Sequence, residues 1–232
     1  MQKRILVVLC LVFGCMAAQA ATSTDTEKAL RKLDEAAKRF HNATADFTSD
    51  QKQTYPIPDE EKQTGKSAFA RNADGVEMAA HFLSDNGRPL QKDLVYAKGE
   101  LKMYEPKIDQ LTVFTAGANR GMYESFLTLG FGGSGTELEK SWTVSYAGTD
   151  KVDGFDVVKL DLVSKLASVR DNYTRVTLWL DLNLGVSRKQ LFFQKDGSTR
   201  TVEYTNIQVN QKSFPPSTFA IKKGSKVVAV TK

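Results

Sequence analysis

The sequence predicts a mainly β protein built on one strongly curved antiparallel sheet or open barrel, and three observations carry that expectation. From Ala43 onward, apolar residues recur with a period of two, the spacing of a half-buried strand. Compact turn signals interrupt the runs: Asn72-Ala73-Asp74-Gly75, Asp85-Asn86-Gly87, Lys98-Gly99, Asp153-Gly154 and Asp196-Gly197. Crossover helices between the runs are missing, which argues against a parallel α/β sheet.

Ahead of that pattern, Met1–Ala20 has a basic start (Lys3, Arg4), an apolar run from Ile5 to Ala17, and Ala18-Gln19-Ala20. This is the plan of an export signal cleaved after Ala20, and the run is too short for a membrane span. A rival reading lies inside it. Val12-Phe13-Gly14-Cys15 partly resembles a lipoprotein signal, in which Cys15 is lipidated and anchors the chain. Soluble export is favoured because Phe13 is bulky where such signals carry a small residue.

Both cysteines, Cys10 and Cys15, lie in that leader, so a chain starting at Ala21 has no thiol and no disulfide. Its 212 residues suffice for one β domain (21–232), and losing Lys3 and Arg4 lowers the formal charge from +5 to +3. No dense Lys/Arg block accompanies that excess, so nucleic acid is not an expected partner.

Thr24–Asn42 reads as an amphipathic helix opened by a Thr24/Glu27 capping box. Leu30, Leu33, Ala37 and Phe40 share a stripe, with Lys28, Arg31, Lys32, Glu35 and Lys38 elsewhere. Such a helix must lie across something apolar, as plain packing or as a lid over a cavity.

The strands follow. Ala45/Phe47 begin the first; Ser67, Phe69 and Arg71 then oppose Lys66, Ala68 and Ala70, and Val76, Met78, Ala80 and Phe82 alternate with Glu77, Ala79, His81 and Leu83. Leu101/Met103, Leu111/Val113, Val158/Leu160/Leu162 and Val176/Leu178/Leu180 continue, and Gln190–Gln194, Thr201–Val209 and Phe219–Ile221 complete about ten or eleven strands. Tyr55–Glu61 holds Pro56 and Pro58 and is expected as a solvated loop.

Met122–Trp142 breaks the alternation. Phe126, Leu127, Leu129 and Phe131 lead into the glycines of Gly130–Gly135 and a short polar helix start. Gly130, Gly132 and Gly135 match G-x-G-x-x-G, but Thr136–Ser141 is too short for the helix of a dinucleotide site, and hairpin signals resume at Val144. A flexible, apolar flap is the better reading.

Chemistry is sparse. His41 and His81 are the only histidines and stand in no metal-ligand spacing. Gly133-Ser134-Gly135 lacks the glycine pattern of a nucleophile elbow, and Asp59-Glu60-Glu61 sits in a proline loop where a desolvated carboxylate pair is not expected. Neither an enzyme nor a cofactor nor a metal is indicated. Thirteen phenylalanines, with Met78, Met103 and Met122, either fill a core or line an adaptable pocket. One narrow helix and one flap cannot cover the whole concave face of so long a sheet. A carrier holding apolar chains is therefore expected.

Four segments add a family resemblance. The exported start, the leading helix and Ala45-Asp46-Phe47 resemble the opening of the periplasmic outer-membrane lipoprotein carriers, the LolA-like family. Gly65–Arg71 resembles their second strand. Gly99-Glu100-Leu101-Lys102-Met103-Tyr104-Glu105-Pro106 with Gln110-Leu111 is similar to a third segment, and Phe214-Pro215, Phe219-Ala220-Ile221-Lys222, Gly224 and Val227 to the closing strand. Asn72 and Lys223 stand where the family commonly has proline, and Asp85–Lys98 is longer than its pattern.

The resemblance implies an unclosed β-barrel of about eleven strands, covered by an N-terminal helix and a mid-chain helical lid. It implies a periplasmic monomer whose apolar cavity holds the acyl chains of lipoproteins or other lipids. An inner-membrane lipoprotein-releasing transporter and an outer-membrane acceptor would be its partners. Phe40, Phe47, Phe69, Met78, Phe82, Met103, Met122, Phe126, Leu129, Phe131, Leu160 and Leu178 are the candidate cavity and lid residues. Met122–Leu129 matches the inner lid helix, Gly130–Gly135 its hinge, and Arg71 the arginine that latches the lid through hydrogen bonds to lid backbone. An exposed strand-end charge is the other reading of Arg71. A divergent relative lipidated at Cys15 could instead be an anchored receptor or sensor of the same fold.

Overall fold

The chain enters its sheet in the middle and builds outward in two directions. In the computed structural model, which describes residues 13–231 except 73, 74, 116, 118, 119, 213, 216 and 223, α1 (Phe13–Ala37) leads into β1 (Asn42–Gln53). Hairpins then add β2 (Asp59–Asn72), β3 (Gly75–Asp85), β4 (Arg88–Ala97), β5 (Glu100–Glu105) and β6 (Gln110–Thr115). A crossover bearing α2 (Arg120–Leu127) and α3 (Gly135–Ser141) carries the chain to the opposite edge. There β7 (Trp142–Val152), β8 (Phe155–Ser164), the short α4 (Ala167–Arg170), β9 (Tyr173–Asp181), β10 (Val186–Gln194) and β11 (Thr199–Val209) walk back until β11 meets β1. β12 (Lys226–Thr231) closes the order β12-β6-β5-β4-β3-β2-β1-β11-β10-β9-β8-β7. The edges β7 and β12 do not pair with each other, so the sheet is an open half-barrel.

Local chemistry explains the hairpins. Asn86-Gly87, Lys98-Gly99 and Asp153-Gly154 all hold positive φ at both turn centres, between +46° and +84°. Two-residue turns of that hand match the right-handed twist of the strands they join.

Several expectations need correction. The sheet has twelve strands and is mixed, because β12 runs parallel to β6. Phe219–Ile221 is no strand: Pro215 precedes a turn in which Thr218 N–H bonds the Pro215 carbonyl, and Phe214, Phe219 and Ile221 lie over Ala68, Ala79 and Val95 on the back of the sheet. The methyl-sized side chains of Ala68 and Ala79 leave room for that cover. Asp85–Lys98, longer than the family pattern, contains β4, a strand the periodicity does not predict. Asp59–Glu61 joins β2, so only Tyr55–Pro58 of the proline segment is loop. The first helix ends at Ala37, and it does not begin at Thr24 but runs through it, so the helix start expected for a Thr24/Glu27 capping box does not lie there.

Met1–Val12 lies outside the described residues, as do the side chains up to Thr22, Cys15 included. No helix among the described residues is long and apolar enough to cross a membrane.

Candidate functional site

Register stacks three inward rows across the middle of the sheet. Phe47 (β1) lies between Tyr204 (β11) and Gly65 (β2), with Phe82 (β3) and Lys92 (β4) continuing the row. Two residues along, Ser49 lies between Val202 and Gln63; two further, Gln51 lies between Arg200 and Glu61. The rows therefore grade from aromatic to polar along the strands.

α2 bridges over this surface. Phe126 packs on Tyr173 and Phe192 at ring distances of 5.6 and 6.1 Å, while Tyr96 Oη on β4 donates to Glu124 Oε1 at 2.9 Å. Arg120 Nε donates to the same oxygen at 2.7 Å, and Trp142 Nε1 donates to Ser125 Oγ at 3.2 Å. Burial first, then the Glu124 carboxylate, pushes the Tyr96 phenol up to about 12, so it stays a donor at neutral pH.

Between α2 and the sheet lies a cavity of about 400 Å³. Of the candidate residues, Phe47, Phe69, Met78, Phe82, Met103, Phe126 and Leu129 line it. Leu178 lines a neighbouring cavity of about 510 Å³, bounded by α2, α3 and the glycine segment, with Leu129 as the shared wall. Both volumes fall in the range of small-molecule sites.

Three candidates do not line these cavities. Leu160 is fully buried between Tyr146 and Leu178, in the part of the sheet that the helices cover tightly. Phe40 packs under Gly132, whose backbone (φ +68°) leaves no room for a Cβ against that ring. Phe131 plugs the aromatic end: it stacks on Phe69 at 3.9 Å and meets Tyr204 edge-on at 4.8 Å. Met122 falls in α2, but its side chain lies outside the described residues.

The glycine segment is not the loose flap expected from its composition. Gln190 Nε2 donates to the Leu129 carbonyl at 2.6 Å, Ser187 N–H to the Gly130 carbonyl at 2.6 Å, and Gly132 N–H to the Gly185 carbonyl at 3.1 Å. Glycine's freedom is used here for close approach to β10. Ser134 then caps α3, its hydroxyl accepting from Glu137 N–H at 3.0 Å while Ser134 N–H donates to the Glu137 carboxylate.

Arg71 lies beside that helix, one residue before the end of β2 at Asn72. Its Nη1 donates to Glu137 Oε1 at 3.2 Å, a side-chain ion pair to α3; the backbone of the α2 segment is held by Gln190 and Ser187. Burial raises the Glu137 carboxyl, but Ser134 N–H and the Arg71 charge outweigh it and hold the group below its usual value. His81 is tied up locally, with Nδ1 2.8 Å from Asp93 and Nε2 3.2 Å from the Thr218 carbonyl.

The sequence reading missed Tyr96, Glu124, Gln190, Phe192, Arg200 and Tyr204. A signal for two of them was present: Arg200 and Tyr204 share the inward parity of β11 with Val202. Burial pushes the Tyr204 phenol above its ordinary range, with Arg200 opposing in part.

No family model matches the chain, and no curated protein matches it. Solved structures do. MucB is similar at a TM-score of 0.54 and 15% identity over 88% of this chain and 66% of its own, so the chain spans just under two thirds of that protein. MucB in the Pseudomonas aeruginosa MucA/MucB complex gives a TM-score of 0.51 and 17% identity over 88% and 63%. An uncharacterized conserved protein from Thermus thermophilus gives 0.56 and 11% over 89% and 99%. More distantly, a LolA superfamily protein from Nitrosomonas europaea gives 0.43 and 12% over 84% and 97%. At such identities, the likeness to MucB and to the Thermus protein is one of fold: the open half-barrel is shared architecture.

Proposed function

We propose that this chain is an exported carrier, which takes the acyl chains of lipoproteins, or of other lipids, into the cavity beneath α2. In the periplasm it would pass them from the inner to the outer membrane, between a lipoprotein-releasing transporter and an outer-membrane acceptor. The observation that supports this most is the hollow itself, walled by Phe47, Phe69, Met78 and Phe126 under a helix held by polar bonds. Methionine and phenylalanine adapt to chains of irregular shape.

The energetics suit transfer. Each buried methylene contributes about 0.8 kcal/mol, so a long chain in a rigid apolar hole would be released too slowly. Moving α2 breaks the Tyr96–Glu124, Ser125–Trp142 and Gln190–Leu129 hydrogen bonds, each worth about 1 kcal/mol net, which offsets part of that gain. Handover then follows to whichever partner binds more tightly.

The test is transfer of a fluorescent diacylated lipopeptide between vesicles. Phe69→Glu and Phe126→Glu should each abolish transfer while leaving far-ultraviolet circular dichroism unchanged. Normal transfer by both folded variants would overturn the carrier.

A second reading, a membrane-anchored receptor or sensor lipidated at Cys15, starts from Val12-Phe13-Gly14-Cys15, and the similar MucB, solved in complex with MucA, is a half-barrel with a protein partner. Intact mass of the mature protein separates the two: a start at Ala21 excludes the anchor, and a diacylated Cys15 requires it.

A further inference from the structure

The geometry points to a head-group site at the polar end of the cavity: we infer that the bound lipid ends in an oxyanion, carboxylate or phosphate, and that Arg200 binds it. This rests on the carrier reading and narrows its cargo to the other lipids, because the ester- and amide-linked acyl chains of a lipoprotein carry no free oxyanion. Arg200 lines the cavity on β11, and its guanidinium lies 4.7 Å from the centre of the Phe192 ring, which holds the plane in place. Its Nε is buried and finds no hydrogen-bond acceptor among the described residues.

Its neighbours explain that. Gln51, directly opposite, has its Oε1 engaged by Gln194 Nε2 at 3.2 Å. Glu61 lies one strand further, its backbone about 10 Å from that of Arg200 at ordinary strand spacing, and its carboxylate accepts from Gln63 Nε2 at 2.7 Å. Among the described residues, Glu61 is the one acid lining this cavity, against two cations, Arg200 and Lys92. Lys92 Nζ sits 5.6 Å from the centre of the Phe82 ring. A partly buried guanidinium without an anion is costly, and its fork is matched to the paired oxygens of carboxylates and phosphates. With the tail among Phe69, Met78 and Tyr204, a chain's head falls in the Arg200 row.

The experiment displaces N-phenyl-1-naphthylamine, a neutral fluorescent probe, from the mature protein with four competitors: palmitate, 1-palmitoyl lysophosphatidate, hexadecanol and inorganic phosphate. Palmitate or the lysophosphatidate should compete at least tenfold better than hexadecanol, and inorganic phosphate alone should not compete. Which acyl anion wins identifies the head as carboxylate or phosphate. In Arg200→Gln the anion-to-alcohol ratio should fall to about two, and in Arg200→Lys to an intermediate value; the lysine variant carries the test if the glutamine variant does not fold. Equal competition by hexadecanol and both anions, or an undiminished ratio in the variants, would overturn the head-group site alone. Failure of the protein to bind the probe at all would remove the carrier and this site together.

Discussion

Two halves of one concave face are made of the same alternating strands and are filled in opposite ways. On β8 to β10, Leu160, Leu162, Val176 and Val186 are fully buried and line neither cavity, and only Leu178 and Leu180 beside them border the hollow under α3. On β1, β3 and β11, the inward Phe47, Met78, Val202 and Tyr204 keep 6–9% and surround a cavity. The cover makes the difference. α1 seats closely along β7 and α3, helped by Gly185, where an added Cβ would come within 2.8 Å of Ala36 Cβ. α2 has only eight residues and is pinned through polar side chains, which fix its position without filling the space below. Small residues at a contact permit close packing, and polar pins tolerate a hollow.

That contrast can be broken by mutation. The largest effect is expected in the filled half: Leu160→Ala should lower unfolding free energy by about 3 kcal/mol in urea titrations, against about 1 kcal/mol for Phe82→Ala, which already borders empty space. Equal costs would erase the distinction. Next, Gly132→Ala should cost about 2 kcal/mol, since it forces a Cβ at φ +68° into the Phe40 ring that underlies the glycine segment.

Tyr96→Phe should cost about 1 kcal/mol by leaving Glu124 short of a donor, and should speed lipid exchange by loosening α2. Unchanged exchange would show that α2 is not the moving part. The smallest effect concerns Arg71 and Glu137. Because the folded Glu137 carboxyl titrates below its usual value, the pair's contribution is full above the ordinary glutamate range and is lost as pH falls through the lowered value. Arg71→Gln should therefore lower stability by about 0.5 kcal/mol or less at neutral pH, and the gap to the parent should close in acid. A gap as large in strong acid as at neutral pH would contradict the ion pair.

Sequence periodicity made most of the sheet legible, because most strands from Ala43 to Val209 alternate and the Asn-Gly, Lys-Gly and Asp-Gly turns need left-handed backbone; β4 escaped it, since Leu94-Val95-Tyr96 runs apolar without alternation. It missed the parallel β12, since a six-residue strand rich in Val and Ala carries no mark of its partner or direction. The same limit applies to the site. Parity places Phe47, Phe69, Met78 and Phe82 on the inner face, and Leu160 equally; only the position of the covering helices separates cavity wall from filled core. Arg71 was singled out by resemblance, whereas the bonds that fix the glycine segment come from Gln190 and Ser187, whose roles depend on β10 lying beside it.

The most direct measurement is native mass spectrometry of the protein purified from its native host, followed by organic extraction. A carrier should emerge with acylated protein or lipid near one equivalent, and Phe126→Glu should emerge without it. A clean ligand-free mass, together with no uptake of an environment-sensitive fluorescent fatty acid, would contradict the carrier and leave the hollow half as loosely filled core.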